Sequence, residues 1–234
     1  MTDDIIVLKN VKRDFHRKSE IVHAVAGVDL TIKRGTFNIL RGKSGSGKTT
    51  LLNMIAMIDR PSEGSMFFEG EEITSVSDKY RDNLRRTKVG IIFQNTALIA
   101  HMSAIENVEF ALSIAGKKNA ERKRQAITWL DIMGIKERRN HMPAEMSGGE
   151  QARVAIGRAL AHEPILLLAD EPTSELDTKT SFIVVDMFRE LVDKNGLTVV
   201  MTTHDVNIMD AADNIFTMED GRIIDEVKKN NISC

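Results

Sequence analysis

The stretch GKSGSGKTT, Gly42 to Thr50, most constrains the fold of this chain. It stands between an apolar run, TFNIL, and a helical pattern, TLLNMIAM, which is the strand–loop–helix context of a phosphate-binding loop. Glycines let backbone N–H groups surround phosphate oxygens, Lys48 reaches the β- and γ-phosphates, and the Thr49 hydroxyl ligates Mg²⁺. The alternative is a glycine-rich turn that only caps a helix. The predicted nucleotide contacts are Gly42, Lys43, Ser44, Gly45, Ser46, Gly47, Lys48, Thr49 and Thr50.

A second apolar run, ILLLADEP, ends in two acids. A buried strand would deliver Asp170 and Glu171 at its carboxyl end, where ligands of open α/β sheets bind. We expect Asp170 to hold Mg²⁺ directly or through water, and Glu171 to polarise a water aimed at the γ-phosphate. The alternative is that these acids are only a polar end to the strand, an interpretation that the phosphate loop disfavours.

A serine and two glycines, Ser147, Gly148 and Gly149, precede a long helical pattern in MSGGEQARVAIGRAL. The first N–H groups of a helix lack intrahelical partners, and the macrodipole places partial positive charge there, so this is a second anion site in a chain that already has one. The alternative is that Ser147 simply caps its helix.

Composition restricts the remaining choices. The chain has 234 residues, 42% of them hydrophobic, and a net charge of −2, so no global charge bias points to nucleic acid or anionic lipid. A single cysteine, Cys234, excludes an intrachain disulfide and a cysteine-based zinc site. No apolar stretch approaches the length of a membrane span, and the N-terminus is acidic. We therefore expect a cytosolic chain whose membrane role depends on a separate partner.

The chain divides into three patterned parts. Up to about residue 95, short β-rich runs such as IIVL, VDLTI, TFNIL and SMFFEG alternate with turns, with one helix after Lys48. From 104 to about 162 the pattern is helical, and two of its helices end at glycines. PILLLAD and LTVVMTTHD then predict buried parallel strands separated by a helix around residues 182–191, followed by a hairpin and a polar tail.

These motifs together resemble the nucleotide-binding subunits of ATP-binding cassette (ABC) transporters, from about Ile5 to Ile224. The resemblance implies an α/β fold, a P-loop NTPase cassette with a RecA-like core, an antiparallel β subdomain and an α-helical subdomain. On this interpretation residues 1–234 form one ABC ATPase domain. Its core spans 1–95 and 163–224, its helical subdomain 96–162, and its tail 225–234.

The resemblance also assigns further site residues. Gln94 in IIFQN would touch Mg²⁺ and the attacking water and link the core to the helical insertion. Asp177 in SELD belongs to the D-loop, His204 in TTHD is the switch histidine at the γ-phosphate, and Phe15 stands where an aromatic ring contacts adenine. The other histidines lack metal-ligand spacing and are expected at the surface or in caps: His16, His23, His101, His141 and His162.

In this family two cassettes pack head to tail, and each signature sequence caps the nucleotide of the other. The resemblance therefore implies that Ser147, Gly148 and Gly149 complete a site in a second copy, with ATP and Mg²⁺ as cofactors. The catalytic set would be Glu171, His204, Lys48 and Gln94, and the metal set Thr49, Gln94 and Asp170. The implied partners are a second cassette, identical in the simplest case, and a transmembrane permease at the cytoplasmic face of the cell membrane, without nucleic acid.

Within the family, GKSGSGKTTLLNMIAMIDRPSEG and NVEFAL are most similar to the branch that drives lipoprotein release, macrolide-type export and bacterial cell-division or peptide-resistance complexes. Five apolar residues after Gln94 would either contact the permease or cover the helical insertion's own core: Leu98, Ile99, Ala100, Met102 and Ile105.

Several positions depart from the family pattern. Arg41 and Lys43 add two cations beside the phosphate loop, from which we predict tighter ATP binding. Glu150 replaces the commoner glutamine of the signature, Ala152 stands where glutamine is frequent, and Glu175 brings a charge into the D-loop that would slow or bias closure of the dimer.

Two alternatives stay open at this stage. One is a soluble cassette ATPase that acts on nucleic acid or ribosomes, whose relatives generally carry two cassettes, coiled-coil insertions or zinc modules that this chain lacks. The other is a regulatory module that senses ATP without hydrolysis, which the presence of Glu171 and His204 disfavours.

Overall fold

The computed structural model describes residues 3–17 and 20–229. Contacts divide the chain into two compact units, residues 1–82 with 185–234, and residues 83–184. The strands are β1 (Asp4–Arg17), β2 (Glu20–Lys33), β3 (Phe37–Arg41), β4 (Glu63–Phe68), β5 (Glu71–Glu72), β6 (Val89–Ile92), β7 (Leu166–Asp170), β8 (Thr198–Thr202), β9 (Asn214–Glu219) and β10 (Arg222–Lys228). The α-helices are α1 (Lys48–Ile55), α2 (Asp78–Lys88), α3 (Ala104–Ile114), α4 (Asn119–Ile132), α5 (Gly148–Leu160) and α6 (Thr178–Asn195). Short 3₁₀ helices span Lys136–Arg138, Pro143–Glu145 and Val206–Ala211.

The first unit contains an antiparallel sheet in the order β2, β1, β4, β5. Along the second half of β2, buried Val28, Leu30 and Ile32 alternate with exposed residues. This period of two is what a sheet with one buried face requires, and it confirms the strand predicted over VDLTI.

The same unit contains a second set of strands in which β3 lies parallel to both β8 and β9, and β10 closes the edge antiparallel to β9. Every residue of β8 is buried, as expected for a strand covered on both faces. Phe37 on β3 packs edge to face against Phe188 on α6, with ring centroids 6.5 Å apart. The parallel arrangement brings the carboxyl ends of β3 and β8 to one edge, because Leu40 is paired with Thr202.

The second unit combines the parallel pair β6 and β7 with helices α3, α4 and α5. Helix α4 packs beside Gly157 on α5, where a Cβ would lie at ordinary van der Waals distances of 3.4 Å from Met133 Cγ and 3.8 Å from Trp129 Cβ. The predicted glycine stops are present, because Gly116 after α3 and Gly134 after α4 both have positive φ, 83° and 65°. The second unit, residues 83–184, includes more of the chain than the helical subdomain predicted over 96–162. The bounds of that subdomain stay a prediction.

Two local expectations from the sequence were wrong. Helix α2 was missed, since the β-rich interpretation of the first 95 residues allowed one helix only; its sequence DKYRDNLRRTK is almost entirely polar and gives no apolar stripe. The tail was predicted from 225, but β10 pairs with β9 through Lys228, which is matched to Asn214. The rest of the predicted tail, from residue 230, lies outside the described residues.

Among the described residues, no helix is both long enough and apolar enough to span a membrane.

Candidate functional site

The phosphate loop of the first unit begins where β3 ends and closes where α1 begins at Lys48. Gly47 caps the helix with φ 100°, and Gly45 has φ 80°, both in the region that L side chains rarely adopt. A Cβ on Gly47 would lie 2.2 Å from the carbonyl oxygen of Ala24, whereas nothing lies within 4 Å of one on Gly45. Glycine is thus required at 47 for space and conformation, and at 45 for conformation alone.

Lys48 is buried, with 8% of its surface exposed. Its Nζ donates to the carbonyl oxygens of Gly42 at 2.8 Å and Lys43 at 2.9 Å. The ammonium is therefore fixed inside its own loop, where it concentrates positive charge for an anion.

The Ser46 hydroxyl supplies a second sign of a ligand. Its Oγ is buried and has no hydrogen-bond partner within the described part of the chain. A buried polar atom of this kind carries a desolvation cost that a phosphate oxygen would remove. Lys43, Ser44, Gly45 and Thr49 are exposed, so the face of the loop next to Ser46 is open to a nucleotide.

Arg41 makes two side-chain contacts within the first unit. Its Nε donates to Thr217 Oγ1 on β9 at 2.9 Å, and its Nη1 lies 3.9 Å from Met209 Sδ. These contacts hold the Arg41 side chain, and tighter ATP binding through Arg41 and Lys43 stays a prediction.

His204 follows β8 and is exposed. Since β3 and β8 are parallel and Leu40 is paired with Thr202, the phosphate loop and His204 leave the sheet at the same edge. The first unit thus brings together the two motifs that were predicted to contact the γ-phosphate.

Phe15 lies on β1 opposite Val22 and is half-buried. The guanidinium of Arg13 covers its ring with 4.6 Å between Cζ and the ring centroid. Two nitrogens of Arg13 also bind the Asp59 carboxylate, at 2.9 Å and 2.7 Å. Sequence reasoning missed Arg13, although residues two apart on a strand share a face and this spacing was visible.

In the second unit, β7 delivers the two predicted acids. Asp170 is its last residue and is 7% exposed, and Glu171 follows with φ 47°. A left-handed conformation is uncommon for a residue other than glycine and costs free energy, so surrounding structure must hold Glu171 there. The Ser174 hydroxyl donates to the Glu171 carbonyl oxygen at 3.0 Å and secures this turn.

Gln94 and Glu171 are brought together. Ile92 on β6 is paired with Ala169 on β7, and each of the two polar residues lies two positions beyond its strand's paired residue. A small cavity of the second unit is lined by both, together with Phe93, Thr96, Ala152, Ala155, Pro172, Ser174 and Glu175. Gln94 and Glu171 therefore lie in the wall of one cavity and would both face a water held in it.

Ser147 caps α5 in a reciprocal capping box with Glu150. The Glu150 N–H donates to Ser147 Oγ at 3.3 Å, and the Ser147 N–H and hydroxyl donate to Glu150 Oε2 at 2.9 Å and 3.1 Å. The capping interpretation of Ser147 is therefore correct, and Ser147 and Gly148 are also exposed. An exposed helix start can still accept an anion.

The D-loop lies against this helix start. A Cβ on Gly148 would be 3.3 Å from Glu175 Oε2, and one on Gly149 would be 3.5 Å from the Glu175 carbonyl oxygen. Asp177 precedes α6 and accepts hydrogen bonds from the Thr180 N–H at 3.0 Å and hydroxyl at 2.6 Å. The Thr180 hydroxyl in particular lowers the pKa of Asp177, which stays ionised at neutral pH.

The apolar stretch after Gln94 is only partly exposed. Ile105 is buried, while Leu98, Ile99 and Met102 are half-buried. The buried Asn107 amide fixes this loop through hydrogen bonds to the backbone of Ile99 and Met102. Part of the stretch thus covers the helical region's own core, and Ala100 remains exposed.

His162 was expected at the surface or in a cap, but its ring is enclosed and makes no capping hydrogen bond among the described residues. Both of its ring nitrogens are buried and, although the backbone of Val89 is near, neither makes a hydrogen bond of good geometry among the described residues. Burial lowers the pKa of His162, so the ring is neutral.

The described residues contain no cluster of three or more histidine, cysteine or acidic side chains that could hold a metal ion alone. Mg²⁺ keeps several waters and is generally bound by one or two protein groups plus substrate phosphates. Thr49, Gln94 and Asp170 offer donors of this type.

Comparison with known proteins gives the family. The sequence matches the ABC transporter family over residues 25–174. It is 37% identical over 97% of its length to the whole lipoprotein-releasing system ATP-binding protein LolD of Hyphomonas neptunium. It is 39% identical over 96% of its length to the macrolide export ATP-binding/permease protein MacB of Chlorobaculum tepidum, of which it covers 34%.

A solved structure is similar over nearly the whole chain. The cassette MJ0796 of Methanocaldococcus jannaschii, a dimer in a post-hydrolysis state bound to ADP and Pi, has a TM-score of 0.94 and 37% identity, covering 97% of this chain and 100% of its own. The predicted fold class and family resemblance are confirmed. With its phosphate loop, its acidic strand end and its signature helix in place, the chain belongs to the ABC transporter family and is an ATPase of the ATP-binding cassette type.

Proposed function

We propose that this chain is the ATP-binding and ATP-hydrolysing subunit of an ABC transporter and powers a separate membrane permease through ATP-driven pairing of two cassettes. The observation that carries the proposal is the exposed start of α5 at Ser147 and Gly148. The chain already has a complete phosphate loop, so a second exposed anion site is best explained by a nucleotide held on another copy. The dimeric, ADP- and Pi-bound state of MJ0796 supports this arrangement.

The residues of each unit then have distinct roles toward ATP. Lys48 and the loop N–H groups bind the β- and γ-phosphates, and Ser46 adds its buried hydroxyl. Phe15 stacks on adenine, with Arg13 behind its ring. Glu171 accepts a proton from the attacking water, which Gln94 helps to orient from the shared cavity wall, and His204 contacts the γ-phosphate.

Mg²⁺, held by Thr49, Gln94 and Asp170 with the phosphates, would neutralise charge on the transferred phosphoryl group. The remaining transition-state charge would be met by the Ser147 cap of the second copy, whose helix start adds partial positive charge from the opposite side. Asp177 in the D-loop would take part in the contact between the copies.

We further propose that the permease belongs to the lipoprotein-release and macrolide-export type, as the LolD and MacB similarities suggest. The cassette would then bind it at the cytoplasmic face of the membrane. Phe93, beside Gln94, and Phe110 and Ile114, one turn apart on α3, are each 40–47% exposed and offer apolar contacts to such a partner.

The proposal is tested with Glu171→Gln, which removes the base and keeps the size of the side chain. With ATP and Mg²⁺, this variant should bind nucleotide and elute as a dimer from size exclusion. Its rate of ATP turnover should fall at least about a hundredfold. With ADP it should elute as a monomer. Glu72→Gln, an exposed carboxylate on β5, is the matched control and should behave as the unmodified chain. Normal turnover by Glu171→Gln, or a monomer at saturating ATP, would contradict the proposal.

A further inference from the structure

The Glu150 carboxylate at the start of α5 is shared between two groups. Its Oε2 accepts from the Ser147 N–H and hydroxyl, at 2.9 Å and 3.1 Å. Its Oε1 accepts from Arg138 Nε at 3.1 Å. The three side chains thus form a chain in which Arg138 holds Glu150, and Glu150 holds the signature serine.

Arg138 also contacts His141. It lies in the 3₁₀ helix Lys136–Arg138, and its Nη1 lies 3.2 Å from His141 Nε2. Since a guanidinium can only donate, this nitrogen of His141 is the acceptor. The Arg138 side chain is 50% exposed, so its main role is not to fill the core.

Glu150 creates an electrostatic conflict for an anion at α5. The Ser147 N–H lowers the pKa of Glu150, with a smaller contribution from the Arg138 charge, so the carboxylate is ionised at neutral pH. It lies within one turn of the site where a triphosphate from another copy would arrive, and two anions there repel one another. The Ser147 hydroxyl can also donate its single hydrogen to only one of them.

We propose that Arg138 is a positioning residue for the signature sequence, because its guanidinium binds Glu150 Oε1 and offsets the charge of the carboxylate, so that a triphosphate bound on a second copy meets less repulsion at the start of α5. This inference rests on the proposed function. It does not involve the phosphate loop, so it predicts an effect on pairing of the copies and none on binding of ATP to a single copy.

The test uses the Glu171→Gln background, in which pairing can be measured without turnover. Arg138→Gln should raise the protein concentration needed for half-maximal ATP-driven dimerisation by roughly tenfold, since two such sites form in each dimer. Arg138→Lys should restore part of the loss, because it keeps the charge. The affinity of each variant for a fluorescent ATP analogue, measured below the dimerisation range, should be unchanged.

The decisive variant is Arg138→Gln combined with Glu150→Gln. If Arg138 acts by offsetting the Glu150 charge, removal of that charge makes it dispensable, and the double variant should pair as Glu150→Gln alone does. Arg124→Gln, at an exposed arginine on α4, is the matched control. An Arg138→Gln variant that pairs like this control, or a double variant as weak as Arg138→Gln, would overturn the inference. A Glu171→Gln parent that fails to pair at all would instead overturn the proposed function.

Discussion

The guanidinium of Arg13 covers one face of the Phe15 ring with 4.6 Å between Cζ and the ring centroid. The same guanidinium grips Asp59 through two nitrogens, so the ring is backed by a group that is itself fixed. An adenine that stacks on Phe15 would therefore meet a ring of restricted orientation, and this lowers the entropy lost on binding.

Replacement of Arg13 should therefore weaken ATP binding. We expect Arg13→Met to raise the Kd for ATP by about two- to fivefold, in the range of a cation–π contact, and Phe15→Leu to raise it further. Fluorescence titration with an ATP analogue measures both. Arg34→Met removes a different ion pair of the same unit, Arg34–Glu69 at 2.7 Å, and should leave the Kd unchanged. Equal effects of the two arginine variants would contradict a specific role for Arg13.

The two glycines of the phosphate loop should respond differently to alanine. Gly45→Ala meets no atom within 4 Å, so only its φ of 80° is strained, at a cost of about 1–2 kcal/mol. Gly47→Ala adds a clash, since its Cβ would lie 2.2 Å from the Ala24 carbonyl oxygen, and should cost more than about 3 kcal/mol. Urea unfolding of both variants gives the comparison. A Gly47→Ala variant as stable as Gly45→Ala would show that the backbone relaxes freely.

The features that were predictable from sequence are the local ones. The phosphate loop and the acidic end of β7 each follow a strand directly, so their positions depend on neighbours in the chain. Helix α2 was not predictable from apolar periodicity, because its buried side is made by Leu84 and by Arg81, a charged residue only 5% exposed. A buried polar residue such as Arg81 is not detected by an analysis of hydrophobic periodicity, although its stem packs like an apolar side chain.

Contacts that depend on tertiary structure were also not predictable from the sequence. Glu150 was recognised as an unusual signature residue, but its link to Arg138, twelve positions earlier, depends on how the 3₁₀ helix packs at the start of α5. His162 was expected at the surface or in a cap because the histidines other than His204 lack metal-ligand spacing. The groups near its ring are the Val89 backbone on β6 and the charges of Lys117 and Glu163, and Val89 and Lys117 are distant from His162 in sequence.

His162 should make stability depend on pH. Burial holds the pKa of its imidazole below its ordinary value of 6.5; the charges near it are Lys117, which lowers the pKa, and Glu163, which raises it. The folded chain therefore binds fewer protons than the unfolded chain as the pH falls. The contribution of neutral His162 to the free energy of unfolding is therefore complete above the ordinary pKa of histidine. It is lost as the pH falls toward the lower pKa of the folded chain.

The measurement is the urea midpoint of unfolding between about pH 7.5 and about pH 5. The midpoint should fall across this interval, and His162→Leu should reduce the slope. His101→Gln, at an exposed histidine, should keep the slope of the unmodified chain. Parallel pH profiles for all three proteins would exclude His162 as the titrating group.

Glu175 should oppose the pairing of two cassettes. Its Oε2 lies only 3.3 Å from the position of a Cβ on Gly148, so a second carboxylate stands at the start of α5 where a triphosphate would bind. A carboxylate at this position repels an incoming triphosphate, because both groups are anions. In the Glu171→Gln background, Glu175→Gln should therefore lower the protein concentration for half-maximal ATP-driven dimerisation by about threefold, in line with one exposed charge interaction. Analytical ultracentrifugation with ATP gives this concentration directly.

High salt is the control for an electrostatic cause. It should narrow the difference in dimerisation concentration between the parent chain and Glu175→Gln, because screening weakens repulsion between exposed anions. A weaker dimer for Glu175→Gln would mean instead that the carboxylate contributes a contact to the partner, and the proposed opposition would be wrong.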